Sequence, residues 1–298
     1  MIDFVSKKWF YFAFSTLILI PGLVSLAVYK LNLGIDFVGG TLIEIRFEKA
    51  ASKQGLESAI EETGVEVSTV QTTDQNTFLI RTKPLDEEQH KKLIEAVGNK
   101  FGLLNELRRE TVGPTIGAEL LRKAVIALVL ASVAIVFYVA WAFRKVPKPA
   151  SSWQFGISAI VALLHDVFVV VGVFSILGHF FAVEVDALLV TALLTIIGFS
   201  VHDTIVVFDR IRENLLRETY TSFADTVNHS IMQTLARSLN TSLTVVFVLL
   251  AVLLFGGSSI RWFTVALLIG VISGTYSSIF NASQVLVAWQ EWGGGKKK

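Results

Sequence analysis

The chain has no cysteine among its 298 residues. Disulfides and cysteine-held metal centres are therefore excluded, and the redox compartment leaves no mark. Charge is sparse too. Asp, Glu, Lys and Arg make up 17% of residues, against roughly 25% in an ordinary globular chain, and the net charge is +1. No field of one sign points to nucleic acid. The glycine-rich stretch 34–41 has neither a P-loop lysine nor a GxGxxG spacing, so nucleotide binding finds no support. No metal site and no cofactor are expected. A cleaved signal is not expected either: the first apolar run, 9–29, exceeds a signal core, and no small-residue cleavage pattern follows it.

What is abundant is apolar sequence, 53% of the chain. It falls into six runs, at about 9–30, 122–143, 155–177, 187–208, 238–256 and 262–288, each of a length that spans a bilayer as a helix. Pro21-Gly22 predicts a kink in the first run, which neighbouring helices would accommodate. Gly270, Gly274 and Ser278 recur every four residues in the last and read as close-packing positions. Basic residues set the orientation. Lys7 and Lys8, then Arg144, Lys145 and Lys148, then Arg210, Arg212 and Arg217 alternate with six crossings, whereas the loops 178–186 and 257–261 hold only Arg261. An excess of basic residues marks the cytoplasmic side, which puts both termini in the cytoplasm and residues 31–121 outside. The glycine–lysine tail 293–298 carries little weight, since such a run can be an addition to a natural chain.

The expected organisation is thus a cytoplasmic N-terminus and first span (1–30), an external domain (31–121), and five further spans (122–292). Residues 41–47 alternate as a strand, 54–63 are helix-like, and 65–73 with 77–82 read as a hairpin turning at Asp74-Gln75-Asn76. Residues 86–101 open on an acidic helical turn, and 105–112 close as a strand. The order βαββαβ is the split, ferredoxin-like α+β arrangement. Gly39, Gly40, Gly113 and Pro114 bracket this domain as hinges or rigid connectors, and Asp36 reads as a residue that orders the junction. The polar segment 209–237 has apolar residues in a four-residue rhythm and a capping box at Ser222 and Asp225. It predicts an amphipathic helix on the membrane surface or on a partner.

Two carboxylates lie inside apolar runs: Asp166 near the middle of the third, and Asp203 about five residues, roughly 8 Å, from the inner end of the fourth. A charge at mid-membrane costs at least ~2.5 kcal/mol and faces protein or a water path. Asp203 is a proton acceptor or a hydrogen-bonded structural acid. Asp166 conducts or ties helices together, and His165 beside it is not expected to share its face. Arg237 opens the fifth span and, from position alone, reads as a cytoplasmic anchor. Asn240, Thr241 and Thr244 follow it as possible partners of water or of Asp203.

Five motifs carry a resemblance. They are Gly34-Ile-Asp-Phe-Val-Gly-Gly-Thr41, Val112-Gly-Pro-Thr-Ile-Gly-Ala-Glu-Leu120, Leu164-His-Asp166, the stretch from Ile197 through His202-Asp203 to Asn214, and Arg237-Ser-Leu-Asn-Thr-Ser242. In this order and at these topological positions they closely resemble the SecF family, the smaller subunits of SecD–SecF protein-export complexes within the resistance-nodulation-division superfamily. The resemblance covers about residues 9–288. It implies a non-enzymatic auxiliary of a SecYEG-type translocon in the plasma or inner membrane. Such a subunit uses a proton or sodium gradient to promote translocation and release of unfolded preprotein. It also implies a SecD-like partner, separate or fused, and a proton pathway in which Arg237 joins the transmembrane acid. Membrane lipid is the other expected neighbour. Two rivals remain on the sequence alone. A lipid or small-molecule exporter of the same superfamily would need a second six-span half. An intramembrane aspartyl protease would pair Asp166 with Asp203, although their depths differ. A lone six-span bundle is expected to leave Asp203 and Arg237 exposed until a partner covers them.

Overall fold

The computed structural model describes residues 3–49, 51–74, 76–218 and 220–294. Helix α1 (Lys8–Tyr29) leads, through the short helix α2 (Ile35–Val38), into strand β1 (Gly40–Phe47), helix α3 (Lys53–Glu61), strands β2 (Val67–Asp74) and β3 (Thr77–Thr82), helix α4 (Glu87–Phe101) and strand β4 (Leu104–Val112). Helices α5 (Pro114–Ala142), α6 (Ser152–Phe181), α7 (Ala187–Leu216) and α8 (Phe223–Phe255) follow. The last span is α9 (Arg261–Ser277) and α10 (Ser283–Gly294), joined by a π-helical turn over Ser278–Ala282. Contacts divide the chain into two units, residues 33–125 and the remainder.

In the smaller unit the sheet order is β2-β3-β1-β4, every neighbouring pair antiparallel. Strand β3 thus lies between β1 and β2, and β1 between β3 and β4, which is the pattern of two interlocked split βαβ units. Of the expected turn, Gln75 is outside the described residues; Asp74 pairs with Thr77, and Asn76 has a φ of +64°. The core is a single apolar layer in which Ile43, Ile45, Phe47, Phe78 and Ile80 of the sheet meet Leu56, Ile60, Leu93 and Val97 of the two helices. Ser52 caps α3, and Asp86 with Gln89 forms a capping box on α4.

Glu87, in the first turn of α4, accepts two hydrogen bonds from Arg109 of β4, at 3.0 and 3.1 Å. This guanidinium holds the Glu87 carboxyl below its ordinary value of 4.5. A depressed folded-state value stabilises the fold above the unfolded value and is lost as pH falls through the folded one. Hydrogen exchange at the start of α4 should therefore stay slow down to about pH 4.5 and quicken in stronger acid. Glu87→Gln should remove that dependence.

The larger unit has six helical segments long and apolar enough to cross a membrane, and the chain is a polytopic α-helical membrane protein with a small α+β domain between its first two spans. Helices α6, α7 and the α9–α10 segment bury half of their apolar stretch, whereas α5 and α8 leave nearly all of theirs uncovered. Helix α1 inverts the rule of water-soluble helices: its buried residues are Ser15, Gly22 and Ser25, and its large apolar side chains face out. Gly22 meets Gly172 of α6 backbone to backbone, and Ser25 shares a 2.9 Å hydrogen bond with Ser175. Pro21 lies inside α1, and the next residue, Gly22, makes the close crossing.

The expected surface helix at 209–237 is corrected. Helix α7 continues to Leu216, and α8 runs unbroken from Phe223 through Arg237 to Phe255. No glycine or proline lies between 209 and 237, and the apolar rhythm there packs the two helices against each other: Ile211 lies in one cluster with Val227 and Ile231. Asn214 donates to Ser230 Oγ at 2.8 Å across this hairpin. The end of the fourth span, placed near 208 from the sequence, is thus no helix end.

Candidate functional site

Both intramembrane carboxylates are buried inside this one chain, Asp166 at 0% and Asp203 at 1% exposure. For Asp203 this overturns the expected exposure. The side chain projects from α7 toward inward-turned residues of α8. Ser242 Oγ lies 3.3 Å from Asp203 Oδ2 and 2.9 Å from the Ser238 carbonyl, so its single proton is shared between them. Thr275 Oγ1 of α9 approaches Ser242 Oγ at 2.6 Å. No cation stands within ion-pair distance of Asp203 among the described residues.

Arg237, Asn240, Thr241 and Thr244 occupy the opposite, exposed side of α8. Thr241 Oγ1 donates to the Arg237 carbonyl at 2.9 Å, and Thr244 Oγ1 to that of Asn240 at 2.8 Å, each bonding back to its own helix. The fold therefore does not bring Arg237 to Asp203. Helical period explains the split: 238 and 242 share one face, 237, 241 and 244 another.

Asp166 is held differently. Ser200 of α7 and Ser277 of α9 donate to Oδ2 at 2.6 and 2.7 Å, and Ser273 of α9 donates to Oδ1 at 2.7 Å. His165 Nδ1 lies 3.1 Å from Oδ1, so the expectation that these neighbours point apart is wrong. Their backbone bonds do diverge by about 100°, but the reach of an imidazole and a carboxylate closes that gap. Among the packing positions, Gly270 lies against Ile196 and Gly274 against Ser200, where a Cβ would be 3.2 Å from the serine Cβ. Ser278 Oγ donates to the Ser200 carbonyl at 2.9 Å and lies 2.8 Å from Thr204 Oγ1. The π-turn that begins there shifts the register of the last span by one residue between α9, which packs on α7, and α10, which packs on α6 and α8.

At the small unit's base, Gly39 has a φ of +80°, and a Cβ there would sit 2.7 Å from Pro114 Cα. A Cβ on Gly40, at φ +144°, would be 2.7 Å from the Thr82 carbonyl oxygen. Gly113 has open space around it, and Pro114 begins α5, where its missing N–H costs nothing. Reading the sequence residue by residue missed Ser200, Ser242, Ser273, Thr275 and Ser277. The four-residue spacing of Ser238 with Ser242 and of Ser273 with Ser277 was the available signal.

Comparison with known proteins agrees with this architecture. The family profile for the protein export membrane protein SecD/SecF C-terminal region matches residues 91–292, and the SecD/SecF GG motif matches 24–51. Protein translocase subunit SecF of Thermobaculum terrenum is 50% identical, over 97% of this chain and 94% of that one. Protein translocase subunit SecDF of Bacillus subtilis is 38% identical over 97% of this chain but only 38% of its own length. The crystal structure of SecDF, a translocon-associated membrane protein from Thermus thermophilus, superposes with a TM-score of 0.86 at 36% identity, covering 97% of this chain and 39% of that one. A matched profile over most of the length, half-identity to a relative of equal size and a shared fold lead to one conclusion: this chain belongs to the SecD/SecF family of protein export membrane proteins.

Proposed function

We propose that this chain is the smaller half of a protein translocase that uses a proton gradient to promote preprotein translocation and release on the outer side of the membrane. The relatives are named translocase subunits, and in the SecDF chains a SecF-like part occupies little more than a third of the length. A SecD-like half, in this case a separate or fused partner, accounts for the rest, and a SecYEG-type channel supplies the substrate. Both termini lie in the cytoplasm and the βαββαβ domain outside, following the basic residues.

Asp203 carries the reading. A fully buried carboxyl with one shared hydroxyl is a poor resting place for a lasting charge, because buried charges need a pair or several donors. Asp166, with four donors, answers that need, whereas Asp203 changes its surroundings with each proton gained or lost. The exposed polar face of α8, with Arg237 at its centre, fits a covering partner helix that carries an acid, since a lipid-facing arginine is costly. In the proposed cycle, a proton from outside neutralises Asp203, α8 and α9 shift across the Ser242–Thr275 contact, and the change reaches the external domain through the Gly39 and Pro114 connections. One charge crossing 100 mV supplies about 2.3 kcal/mol. That biases a two-state movement roughly fifty-fold, without being enough to unfold a stable substrate. The two acids engage separate sets of hydroxyls, which does not suit a protease dyad sharing one proton.

The test is export into inverted membrane vesicles that hold the SecD-like partner. Asp203→Asn should assemble normally and lose the gradient-driven share of export, leaving the remainder intact. Unchanged gradient dependence in that variant would make Asp203 structural and sink the proposal.

A further inference from the structure

One ring nitrogen in the bundle is stranded. His165 Nδ1 is engaged with Asp166 at 3.1 Å, while Nε2 is buried without a hydrogen-bond partner among the described residues. A buried polar atom left unmatched costs about 1–3 kcal/mol and calls for a reason. The other half of the pair is over-served. Three serine hydroxyls and the His165 Nδ1 converge on the two oxygens of Asp166, at 2.6 to 3.1 Å. Four donors match the four lone-pair sites of an ionised carboxylate.

This cage holds the anion. An anion at Nδ1 fixes the neutral imidazole with its proton on that nitrogen, so the lone pair sits on Nε2, free to take a proton. Among the described residues, the titratable groups in contact with His165 are Asp166 on α6 and Tyr276 on α9, whose ring centroid is 6.3 Å away and whose hydroxyl donates to the Tyr11 carbonyl of α1. Helix α7 presents Ser200, which is uncharged.

We propose that His165 and Asp166 form one proton-holding pair in which Asp166 is the fixed anion and His165 Nε2 is the atom that gains and loses the proton. Protonation takes the pair from one net negative charge to none and weakens its pull on Ser200, Ser273 and Ser277, the hydroxyls that tie α6 to α7 and α9. The pair is a second proton station beside Asp203. It deepens the gradient-coupled reading, and in that sense rests on it, but its test needs no transport.

The experiment is nitrogen NMR of the full-length chain labelled with 15N-histidine in lipid nanodiscs, titrated from pH 5 to 9. There are five histidines, and His165→Gln identifies the signal of interest. The wild type should show the Nδ1-protonated neutral form at high pH and the doubly protonated ring at low pH. Asp166→Asn, which removes the adjacent anion, should move the titration of this ring. Ser273→Ala, which keeps the carboxylate but removes one of its donors, should move it as well. An imidazole that never titrates across this range, or a midpoint indifferent to both variants, overturns the pair. A titrating pair in a chain whose export ignores the gradient would overturn the proposed function and leave the pair standing.

Discussion

Replacing Gly172 by valine should pull α1 away from α6 and cost about 3 kcal/mol or more. A Cβ on Gly172 would lie 2.7 Å from Gly22 Cα, and one on Gly22 would lie 2.8 Å from Gly172 Cα. Both obstacles are backbone, so no rotamer change relieves them, and the helices must separate. Separation also breaks the Ser25–Ser175 hydrogen bond and the bond from Ser175 to the Lys30 carbonyl at 2.7 Å. Overpacking a tight contact typically costs 1–3 kcal/mol, and this one has the least room to give. In lipid no solvent-driven force returns the helices to contact. Thermal unfolding in nanodiscs should show Gly172→Val and Gly22→Val each several degrees less stable. Gly198→Ala is the control, because a Cβ at Gly198 meets nothing within 4 Å. Equal melting temperatures for Gly172→Val and Gly198→Ala would mean that the α1–α6 crossing contributes nothing.

The second large effect belongs to the small α+β domain. Phe47 is buried against Phe78 and Phe101, with ring centroids at 5.7 and 5.6 Å. Phe47→Ala removes the ring joining the sheet's centre to the end of α4 and should cost about 3–5 kcal/mol. A domain of this size has about 5–15 kcal/mol in all. Amide exchange of residues 40–112 in the intact chain should therefore accelerate by two orders of magnitude or more, while the bundle amides hold. Uniform protection across the domain in the variant would refute this account of its core.

What the sequence made legible follows from how each signal is written. Asp166 and Asp203 stood out because hydropathy isolates a lone carboxylate, and the βαββαβ order because alternation and caps are local. Their surroundings were not legible, since the hydroxyls of Ser200, Ser242, Ser273 and Thr275 arrive from other helices. The end of α7 was misplaced, and α8 was divided into a polar helix and a span, for a related reason. Hydropathy falls where Asp209 and Arg210 begin, but nothing in the backbone stops the helix there until beyond Leu216. The close crossing at Gly22 was not legible, because it depends on Gly172, about 150 positions away. The resemblance supplied Arg237 as a companion of the acid. Within this chain, that arginine faces out.

The contact between Gly39 and Pro114 has a consequence for assembly. About 75 residues lie between these two positions, yet once the sheet has formed they touch backbone to backbone. An open loop of that length carries a closure entropy of roughly 4 kcal/mol, which would otherwise oppose bringing its ends together. The folded domain acts as a clasp on the chain, so the strand ladder closes this loop before the later helices arrive. Completion of the sheet would then set the timing of bundle assembly, and a mutation in a strand facing water would register first as slow maturation of the membrane-embedded part.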